Sequence, residues 1–377
     1  MNRRRFLQIV AAAGSGLLLS ACDDIPASAV APWQGPPVDE RDIRVRALAW
    51  ALLAPNPHNL QPWLADVRVA DTITLSLDPQ WSLPGTDPYG RQILIGCGGF
   101  VELLRMAAAQ EGYAAQIAWF PDGVFGERLD TRPFARITLV RAPSVLPDPL
   151  FAYVRKRRTN RAPYEARAVD AAVQQRIAAA IDTPGVRTTF SADAAQTQRI
   201  SALAADGYRV EWDTPSAFAD SARVIRLGAD AVAAEPSGIA VHGTAIWWGK
   251  LLGLVGPEDI ADSRSSGAQQ GLARVIAAVQ ATPLWVWQAT ADDSRTTQVA
   301  AGRAYLRLDL AAAAAGVAIH PNSQALQEFP EMQTLYAEMH RTLGVSPPQR
   351  AQMLARLGYA PPVGPAPRRP VQKLLRG

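Results

Sequence analysis

The sequence predicts an α+β fold. Segments whose apolar residues recur at helical spacing alternate along the chain with segments whose apolar residues recur at every second position. The chain has 377 residues and 48% of them are hydrophobic, so it can bury a large core. The alternation by itself also allows an α/β fold with mixed sheets.

The first half is expected to run from residue 39 to residue 147, where prolines mark its end. Asp39 is a suitable N-cap for a helix that Pro55 and Pro57 would end. Alternating apolar residues predict two antiparallel strands around 63–69 and 73–77. A helix over 91–111 and strands near 117 and 137–140 complete this half.

The second half is expected over residues 148–377 and contains a long helical region at about 194–280. That region is the candidate for a lid or pocket wall, and it includes His242, Trp247 and Trp248. The remaining predicted elements are helices at 170–181 and 294–315, strands at 186–190, 284–288 and 317–319, and two C-terminal helices before 357.

The two halves carry an internal echo. A shift of 204 positions places Gly98 on Gly302, Gly112 on Gly316, and one Ala-rich stretch on another. Ala-rich helices match one another easily, so the echo alone leaves open whether the halves are related.

The N-terminus, residues 1–22, has the pattern of a twin-arginine signal. Arg3-Arg4-Arg5-Phe6-Leu7 precedes an apolar run that is too short to span a bilayer. Leu19-Ser20-Ala21-Cys22 resembles a lipobox, which predicts export by the twin-arginine translocase and lipidation of Cys22. An Asp after that Cys resembles the signal for retention at the inner membrane of Gram-negative bacteria, on the periplasmic face. The Pro- and Ala-rich residues 23–38 would then form an extended tether. A basic cytosolic start, or a cleaved signal with an incidental Cys22, are the alternatives.

Several classes of function are not indicated. The formal charge of +4, from 38 basic and 34 acidic residues, makes nucleic acid an improbable partner. The four histidines lack metal-ligand spacing and no C-x-x-C occurs, so we predict no metal. No G-x-S-x-G nucleophile motif is present, and Cys97, among apolar neighbours, is expected to be a buried, inert thiol.

Clustered arginines next to a small hydroxyl residue suit a phosphate monoester. Arg157, Thr159 and Arg161 could converge on such a group if their segment is an irregular turn. A solvated basic loop is the alternative. Arg368 and Arg369 add two cations near the end of the chain, where an exposed tail is the alternative.

The loop Pro55-Asn56-Pro57-His58-Asn59-Leu60-Gln61-Pro62-Trp63 is rich in polar groups and stiffened by proline. The amides of Asn59 and Gln61 could hydrogen-bond the edge of a heteroaromatic ring. Trp63 is expected in the core.

These two segments resemble motifs of the nitroreductase superfamily. The loop is similar to its P-S-x-x-N-x-Q-P-W motif, and Arg157-Arg158-Thr159-Asn160-Arg161 is similar to its R-x-S-x-R segment. The sequence departs from those motifs at Asn56 and Thr159, the latter keeping a hydroxyl. The closest resemblance is to the single-chain, Acg-like branch, whose members look like a dimer fused into one chain. The resemblance implies mixed sheets surrounded by helices and two related halves. It also implies FMN held by Arg157, Thr159, Arg161, Arg368, Asn59 and Gln61, with Arg91 and the His320-Pro321-Asn322 turn, Asn322 above all, as weaker candidates.

The function implied is that of an exported, membrane-anchored, FMN-dependent oxidoreductase that reduces a small organic acceptor such as a nitroaromatic or a quinone. A quinol or a redox partner protein is expected as the electron donor, and no catalytic proton-transfer residue can be named. A non-catalytic flavin-binding or flavin-storing lipoprotein, and a ligand-binding module without flavin, are the alternatives.

Overall fold

A computed structural model describes residues 24–376, except Asp182 and Leu254. The twin-arginine pattern and Cys22 therefore lie outside the described residues. Two four-stranded sheets flank a pair of long central helices, Arg91–Gln110 and Arg295–Ala314. We call these two the first and second seam helices.

The first sheet is antiparallel throughout and has the order β1-β2-β4-β3. Burial alternates along β4, because one face of this sheet covers the core and the other meets solvent. Its strands are β1 (Trp63–Asp66), β2 (Thr72–Leu77), β3 (Tyr113–Trp119) and β4 (Ala135–Arg141).

The second sheet is also antiparallel and has the order β5-β8-β10-β9. Every residue of β8 is buried, since the seam helices lie on one face of the sheet and further helices cover the other. The bounds are β5 (Val186–Phe190), β8 (Leu284–Thr290), β9 (Ala318–Pro321) and β10 (Arg350–Gly358).

The two sheets have the same topology. In each, the chain forms an edge strand, its neighbour, a seam helix, the opposite edge strand and then the remaining strand. The sequence predicted mixed sheets. Among the residues that the structure describes, parallel pairing is confined to the bridges Ala65–Leu375 and Thr159–Ile319 and to the small sheet of β6 (Ile225–Leu227) and β7 (Ile239–Val241).

The seam helices meet through two glycines that the 204-residue shift superposes. A Cβ added to Gly98 would fall 2.0 Å from the carbonyl oxygen of Val299, and one added to Gly302 would fall 1.8 Å from that of Ile95. The same shift carries Ile95 onto Val299, so each half contacts its equivalent in the other. Such reciprocal contacts are those of a two-fold dimer interface, here inside one chain.

The first residue of each seam helix also bonds to the other half, and the two residues are equivalent under the same shift. Arg91 donates to the carbonyl oxygens of Leu326 and Gln352, and Arg295, its equivalent, donates to those of Gly126 and Glu127. In both cases the arginine reaches across the seam to the other half: Arg295 contacts the segment after β3, and Arg91 contacts the segment after β9 and strand β10. Arg91 therefore serves the seam.

A helical insertion separates β5 from β8, at the place where five residues join β1 to β2. Its helices Ala194–Asp213 and Ser266–Gln280 pack with helix Gln333–Thr342 on the outer face of the second sheet. The remaining helices are Ala27–Val30, Ile43–Ala51, Ala171–Ala179, Pro215–Arg223, Ala229–Ala234, Thr244–Leu251 and Pro257–Ala261. Short 3₁₀ turns lie at Ala31–Gln34, Pro57–Asn59, Pro79–Trp81, Pro149–Tyr153, Gln324–Leu326, Pro330–Met332 and Val371–Lys373.

Two predicted elements are wrong, and the long helical region predicted at about 194–280 is interrupted by the strands β6 and β7. The second C-terminal helix is strand β10, which lies between β8 and β9. Its residues are mostly good helix formers, but burial on both faces decides its structure and removes the alternating pattern. The tether is not extended either, since Ala27–Val30 and Ala31–Gln34 are helical and Trp33 is 4% exposed.

Two expectations about the core are confirmed. Trp63 is 1% exposed, and Cys97 is a buried free thiol whose pKa burial raises well above its ordinary value. Within the described residues, the first seam helix is the one helix long and apolar enough to cross a membrane, and most of it is buried in this core.

Candidate functional site

The loop from Pro55 to Trp63 has a strained backbone. His58, Asn59 and Gln61 all adopt left-handed conformations, with φ values of 47°, 56° and 54°. Non-glycine residues rarely occupy this region, and such strain persists where the surrounding structure fixes it, often at a ligand site. The loop follows the end of helix Ile43–Ala51 and lies at the seam.

Two neighbouring segments hold this loop through the predicted ring-binding amides. Asn59 Nδ2 donates to the carbonyl oxygens of Gly238 (3.1 Å) and Pro367 (2.9 Å). Gln61 Nε2 donates to Pro236 O at 3.0 Å, and its Oε1 accepts from the backbone N–H of Arg369 at 2.8 Å. The structure thus gives both amides protein partners.

The predicted phosphate segment places its two arginines in different surroundings. Arg157 Nε lies 2.6 Å from Asp309 Oδ2, and both side chains are 2% exposed. Burial raises the pKa of Asp309, which the charge and hydrogen bond of Arg157 oppose. Thr159 forms a parallel bridge to Ile319, and Arg161 lies two residues further along.

Arg161 has an exposed side chain with protein atoms close around it. Burial is the first cause that lowers its pKa, and Tyr208, Tyr305 and Tyr164 oppose that shift. No hydrogen bond or ion pair engages its guanidinium within residues 24–376, Asp182 and Leu254 aside. Five donors are therefore available to a ligand.

Two neutral histidines share the electrostatic surroundings of Arg161. Burial and then the charges of Arg161 and Arg223 lower the pKa of His58 to about 4. Burial and then the charges of Arg161 and Arg356 lower the pKa of His320 well below its ordinary value. Both imidazoles are thus uncharged at pH 7 and can act as hydrogen-bonding groups.

Polar atoms in the surroundings of Arg161 lack partners. His58 Nδ1 and Asn322 Oδ1 are buried without a hydrogen bond, although Asn322 Nδ2 donates to the Tyr208 hydroxyl at 3.1 Å. His320 Nδ1 accepts from Arg356 Nε at 3.0 Å, which leaves its proton on Nε2. Together with Arg161, these residues define what we call the Arg161 group: His58 from the first half, Tyr208 from the insertion, and His320 and Asn322 from the second half.

A second group of cations lies at the end of helix Ile43–Ala51. Arg368 Nε donates to Leu52 O at 2.8 Å, and Arg157 Nη1 donates to Leu53 O at 2.7 Å. Arg368 also donates to Asn59 Oδ1. These arginines cap carbonyl groups that the helix end leaves unpaired.

This group, which we call the basic cluster, consists of Arg157, Arg158 and Arg368. Burial and then the charges of Arg157 and Arg158 lower the pKa of Arg368 well below its ordinary value. Within the described chain, the carboxylate that opposes these cations is Asp309. Two buried cations and one half-buried cation facing one anion favour an added anionic group.

Arg91 was predicted as a weaker candidate for cofactor binding, but the structure places it in the seam. It is 1% exposed, and Glu328, Leu326 and Gln352 engage its guanidinium across the seam. None of the predicted site residues lines a cavity of about 410 Å³ near this seam. Its lining residues are Pro84, Gly85, Pro88, Tyr89, Ser216, Glu328, Phe329, Pro330, Glu331 and Gln333.

Asp309 and Tyr208 were not among the site residues predicted from the sequence. Asp309 is a lone acid in an otherwise apolar stretch of the second seam helix, and that was a usable signal of a buried ion pair. The pattern around Tyr208 gives no such signal. His58 belongs to the loop from Pro55 to Trp63, but a single histidine in a polar loop does not by itself indicate a site residue.

Comparison with known proteins finds relatives that are named as nitroreductases. No family model matches the chain. The chain is similar to nitroreductases. It is 29% identical over 213 residues to the "Putative NAD(P)H nitroreductase acg" of Mycobacterium tuberculosis, which covers 55% of this chain and 54% of that protein. The match thus spans about half the length of this relative.

A second relative matches over most of its length. It is another "Putative NAD(P)H nitroreductase" of M. tuberculosis, 26% identical over 353 residues, or 89% of this chain and 92% of the relative. Among solved structures, the FMN-dependent nitroreductase NfnB from Mycobacterium smegmatis in complex with NADPH is 15% identical in sequence and has a TM-score of 0.37. The alignment covers 60% of this chain and 97% of that chain. A nitroreductase with bound FMN from Desulfitobacterium hafniense is 14% identical at a TM-score of 0.34, with 58% and 92% covered. Likeness this distant carries no weight for function.

Proposed function

We propose that the protein is an FMN-dependent oxidoreductase of the nitroreductase type that reduces a small organic acceptor, such as a nitroaromatic or a quinone. The observation that carries the proposal is Arg161, a cation without a protein partner among the described residues, whose charge acts on His58 in the strained loop of the other half. The second relative supports it, since its resemblance extends over nearly the whole chain and its name is that of a nitroreductase.

The residues present fit FMN. A phosphate monoester carries close to two negative charges at pH 7 and would offset the surplus positive charge of the basic cluster and Arg161. The unpartnered polar atoms of His58 and Asn322 offer hydrogen bonds to a ring that carries both donors and acceptors. When bound, the flavin would supply the hydride or electron transfer.

The chain's own groups would bind and orient. Arg161 and the Thr159 hydroxyl are proposed to hold the anionic part of the cofactor, with Arg157 and Arg368 behind them. His58 and His320 are uncharged at pH 7, so they can donate or accept a hydrogen bond without adding positive charge. Asn59 and Gln61 are proposed to act by fixing the loop, because their amides bond protein groups.

Flavin retention tests the proposal. The purified wild-type protein should be yellow. Arg161→Ala should lose one or more charge-assisted hydrogen bonds to FMN, each worth about 1.5–3 kcal/mol. The loss of one such bond should weaken FMN binding by roughly ten- to a hundredfold. Arg161→Lys should keep part of that affinity. Arg128→Ala is the matched control, since Arg128 is also exposed and lies on the loop after β3. Equal flavin content in the Arg161→Ala and Arg128→Ala proteins would contradict the assignment.

The electron donor and acceptor are tested on the yellow protein. A membrane quinol or a redox partner protein is the proposed donor, and NAD(P)H, which the relatives' names contain, is the competing one. Each is added anaerobically and flavin bleaching is followed by absorbance. Reoxidation by a nitroaromatic or a quinone then identifies the class of acceptor.

We further propose that the protein is exported by the twin-arginine route and anchored by a lipid on Cys22 to the periplasmic face of the inner membrane. The signal pattern of residues 1–22 supports this. Replacing Arg3 and Arg4 by Lys should block export, and Cys22→Ala should release the protein into the soluble fraction. Membrane retention of the Cys22→Ala protein would argue against the anchor.

A flavin-storing lipoprotein without catalytic activity is the second candidate. It is favoured by the closure of the loop, whose amides are tied to residues 236–238 and 367–369. A yellow protein that dithionite reduces but that neither a nitroaromatic nor a quinone reoxidises would support storage. A colourless wild-type protein that cannot be reconstituted with FMN would contradict both candidates and support a ligand-binding module without flavin.

A further inference from the structure

The segment before the first half packs on the basic cluster. Trp33 is 4% exposed, and its Nε1 donates to the carbonyl oxygen of Ala366 at 2.8 Å. The backbone N–H of Arg368 donates to Ala29 O at 2.8 Å. Residues 27–34, which we call the N-terminal arm, are therefore bonded to the C-terminal segment.

The indole of Trp33 faces all three cations of the basic cluster. The guanidinium carbons of Arg158, Arg368 and Arg157 lie 4.4, 5.4 and 5.6 Å from the ring centroid. An aromatic face attracts cations within about 6 Å, most strongly where water is excluded. Trp33 thus offsets positive charge that Asp309 alone leaves unbalanced.

The C-terminal segment also bonds to the strained loop. Arg368 donates to Asn59 Oδ1, Asn59 Nδ2 donates to Pro367 O, and the backbone N–H of Arg369 donates to Gln61 Oε1. The arm, residues 366–369 and the loop therefore form one continuous chain of contacts.

We infer that Trp33 is a positioning residue of the candidate cofactor site: through its ring it holds the basic cluster, and through the cluster it fixes the C-terminal segment and the loop from Pro55 to Trp63. This inference rests on the proposed function for its flavin readout. Cys22, the proposed site of lipidation, lies five residues before Ala27 in the sequence, so the arm follows the proposed anchor closely along the chain.

Three full-length variants test the role of the ring. Trp33→Ala should weaken FMN binding by about tenfold or more, since three cation–ring contacts are lost. Trp33→Phe keeps an aromatic face and should stay within about threefold of wild type. Trp33→Leu fills much of the space without an aromatic face and should resemble Trp33→Ala. Trp119→Ala, which removes a half-buried indole from β3, is the matched control and should leave FMN affinity unchanged.

Hydrogen exchange gives a readout that does not depend on flavin. Amides of residues 55–63 and 366–369 should exchange faster in Trp33→Ala and Trp33→Leu than in wild type and Trp33→Phe. If wild type binds no FMN, the proposed function fails while this measurement still decides the role of Trp33. If Trp33→Leu matches Trp33→Phe in both measurements, or if Trp33→Ala exchanges at the wild-type rate, the inference is wrong. Should Trp33→Ala fail to fold, the Phe and Leu pair suffices.

Discussion

The two glycines of the seam give the sharpest test of the internal symmetry. A Cβ at Gly98 would fall 2.0 Å from Val299 O and one at Gly302 would fall 1.8 Å from Ile95 O, whereas ordinary contacts begin at 3.4 Å. Alanine at either position therefore requires the helix backbones to separate by roughly 1 to 1.5 Å. Neither backbone can yield locally, because both belong to twenty-residue helices buried in one core.

The cost can be worked from this geometry. Overpacking of a core costs about 1–3 kcal/mol, occasionally more, and a clash between two helix backbones belongs at the upper end. Replacing a helical glycine by alanine gains about 1 kcal/mol in helix propensity, which offsets part of the cost. We expect Gly98→Ala and Gly302→Ala each to lower the free energy of unfolding by about 2 kcal/mol.

A neighbouring glycine supplies the control. A Cβ at Gly99 would lie 3.4 Å from Gly302 O, an ordinary contact, so Gly99→Ala should be neutral or stabilise by up to about 1 kcal/mol. Denaturant unfolding followed by circular dichroism measures all three variants. The Gly98→Ala and Gly302→Ala double variant should cost less than the sum of the single changes, because one separation of the helices relieves both clashes. A Gly98→Ala protein as stable as the Gly99→Ala protein would refute the close approach, and additive costs would refute the shared seam.

Three further predictions concern buried charges and are measured as free energies of unfolding. Burial alone would raise the pKa of Glu102, but hydrogen bonds and charges of Arg105 and Arg303 outweigh it and lower the pKa to about 2. The ionised Glu102 therefore contributes about 3 kcal/mol to the free energy of unfolding above pH 4.5, and this contribution is lost as the pH falls towards 2. Glu102→Gln should abolish that pH dependence. Burial lowers the pKa of His340 to about 4, so its contribution is present above pH 6.5 and lost as the pH falls towards 4; a His340→Gln protein with the same pH profile as wild type between those values would contradict this. Arg157→Ala leaves its carboxylate partner buried and unpaired and should cost about 3–5 kcal/mol at pH 7, whereas a cost below about 1 kcal/mol would show that the pair is not buried.

The sequence predicted those parts of the fold whose structure is decided locally. Both seam helices were expected within one residue of their bounds at each end, because their apolar pattern and flanking N-caps or glycines specify them. The 204-residue echo also has a physical basis, since Gly98 and Gly302 are the residues that the seam requires to be small. The hydrogen bond from Arg157 to Leu53 O places the arginine segment beside the end of the helix that precedes the loop.

Features decided by distant contacts could not be predicted in this way. The residues of β10 favour a helix, and only the position between two strands makes them a central strand. Likewise, nothing local indicates that Asn59 bonds Gly238 and Pro367, which are 179 and 308 residues away in the sequence. A polar side chain in a ligand-binding motif can serve the loop instead of the ligand, and only its partners decide between the two.

The internal symmetry is broken at the candidate site, which explains why anion binding is expected at one end of the seam. The shift of 204 residues places Asp309, an acid that holds a cation, on Arg105, a cation held by Glu102. Around Arg105 three cations meet two acids, because Arg105 and Arg303 pair with Glu102 and Arg307 pairs with Asp148, whereas three cations face one acid around Asp309.

Around Asp309 the cations exceed the acid, and Arg161 has no partner among the described residues. The helical insertion lies only in the second half, and it brings Tyr208 to Asn322 and residues 236–238 onto the loop of the first half. One half therefore supplies the surplus cations and most of the Arg161 group, and the other supplies the strained loop. A fused chain can divide these roles between its halves, whereas a symmetric dimer would have to repeat every change at both ends of the seam.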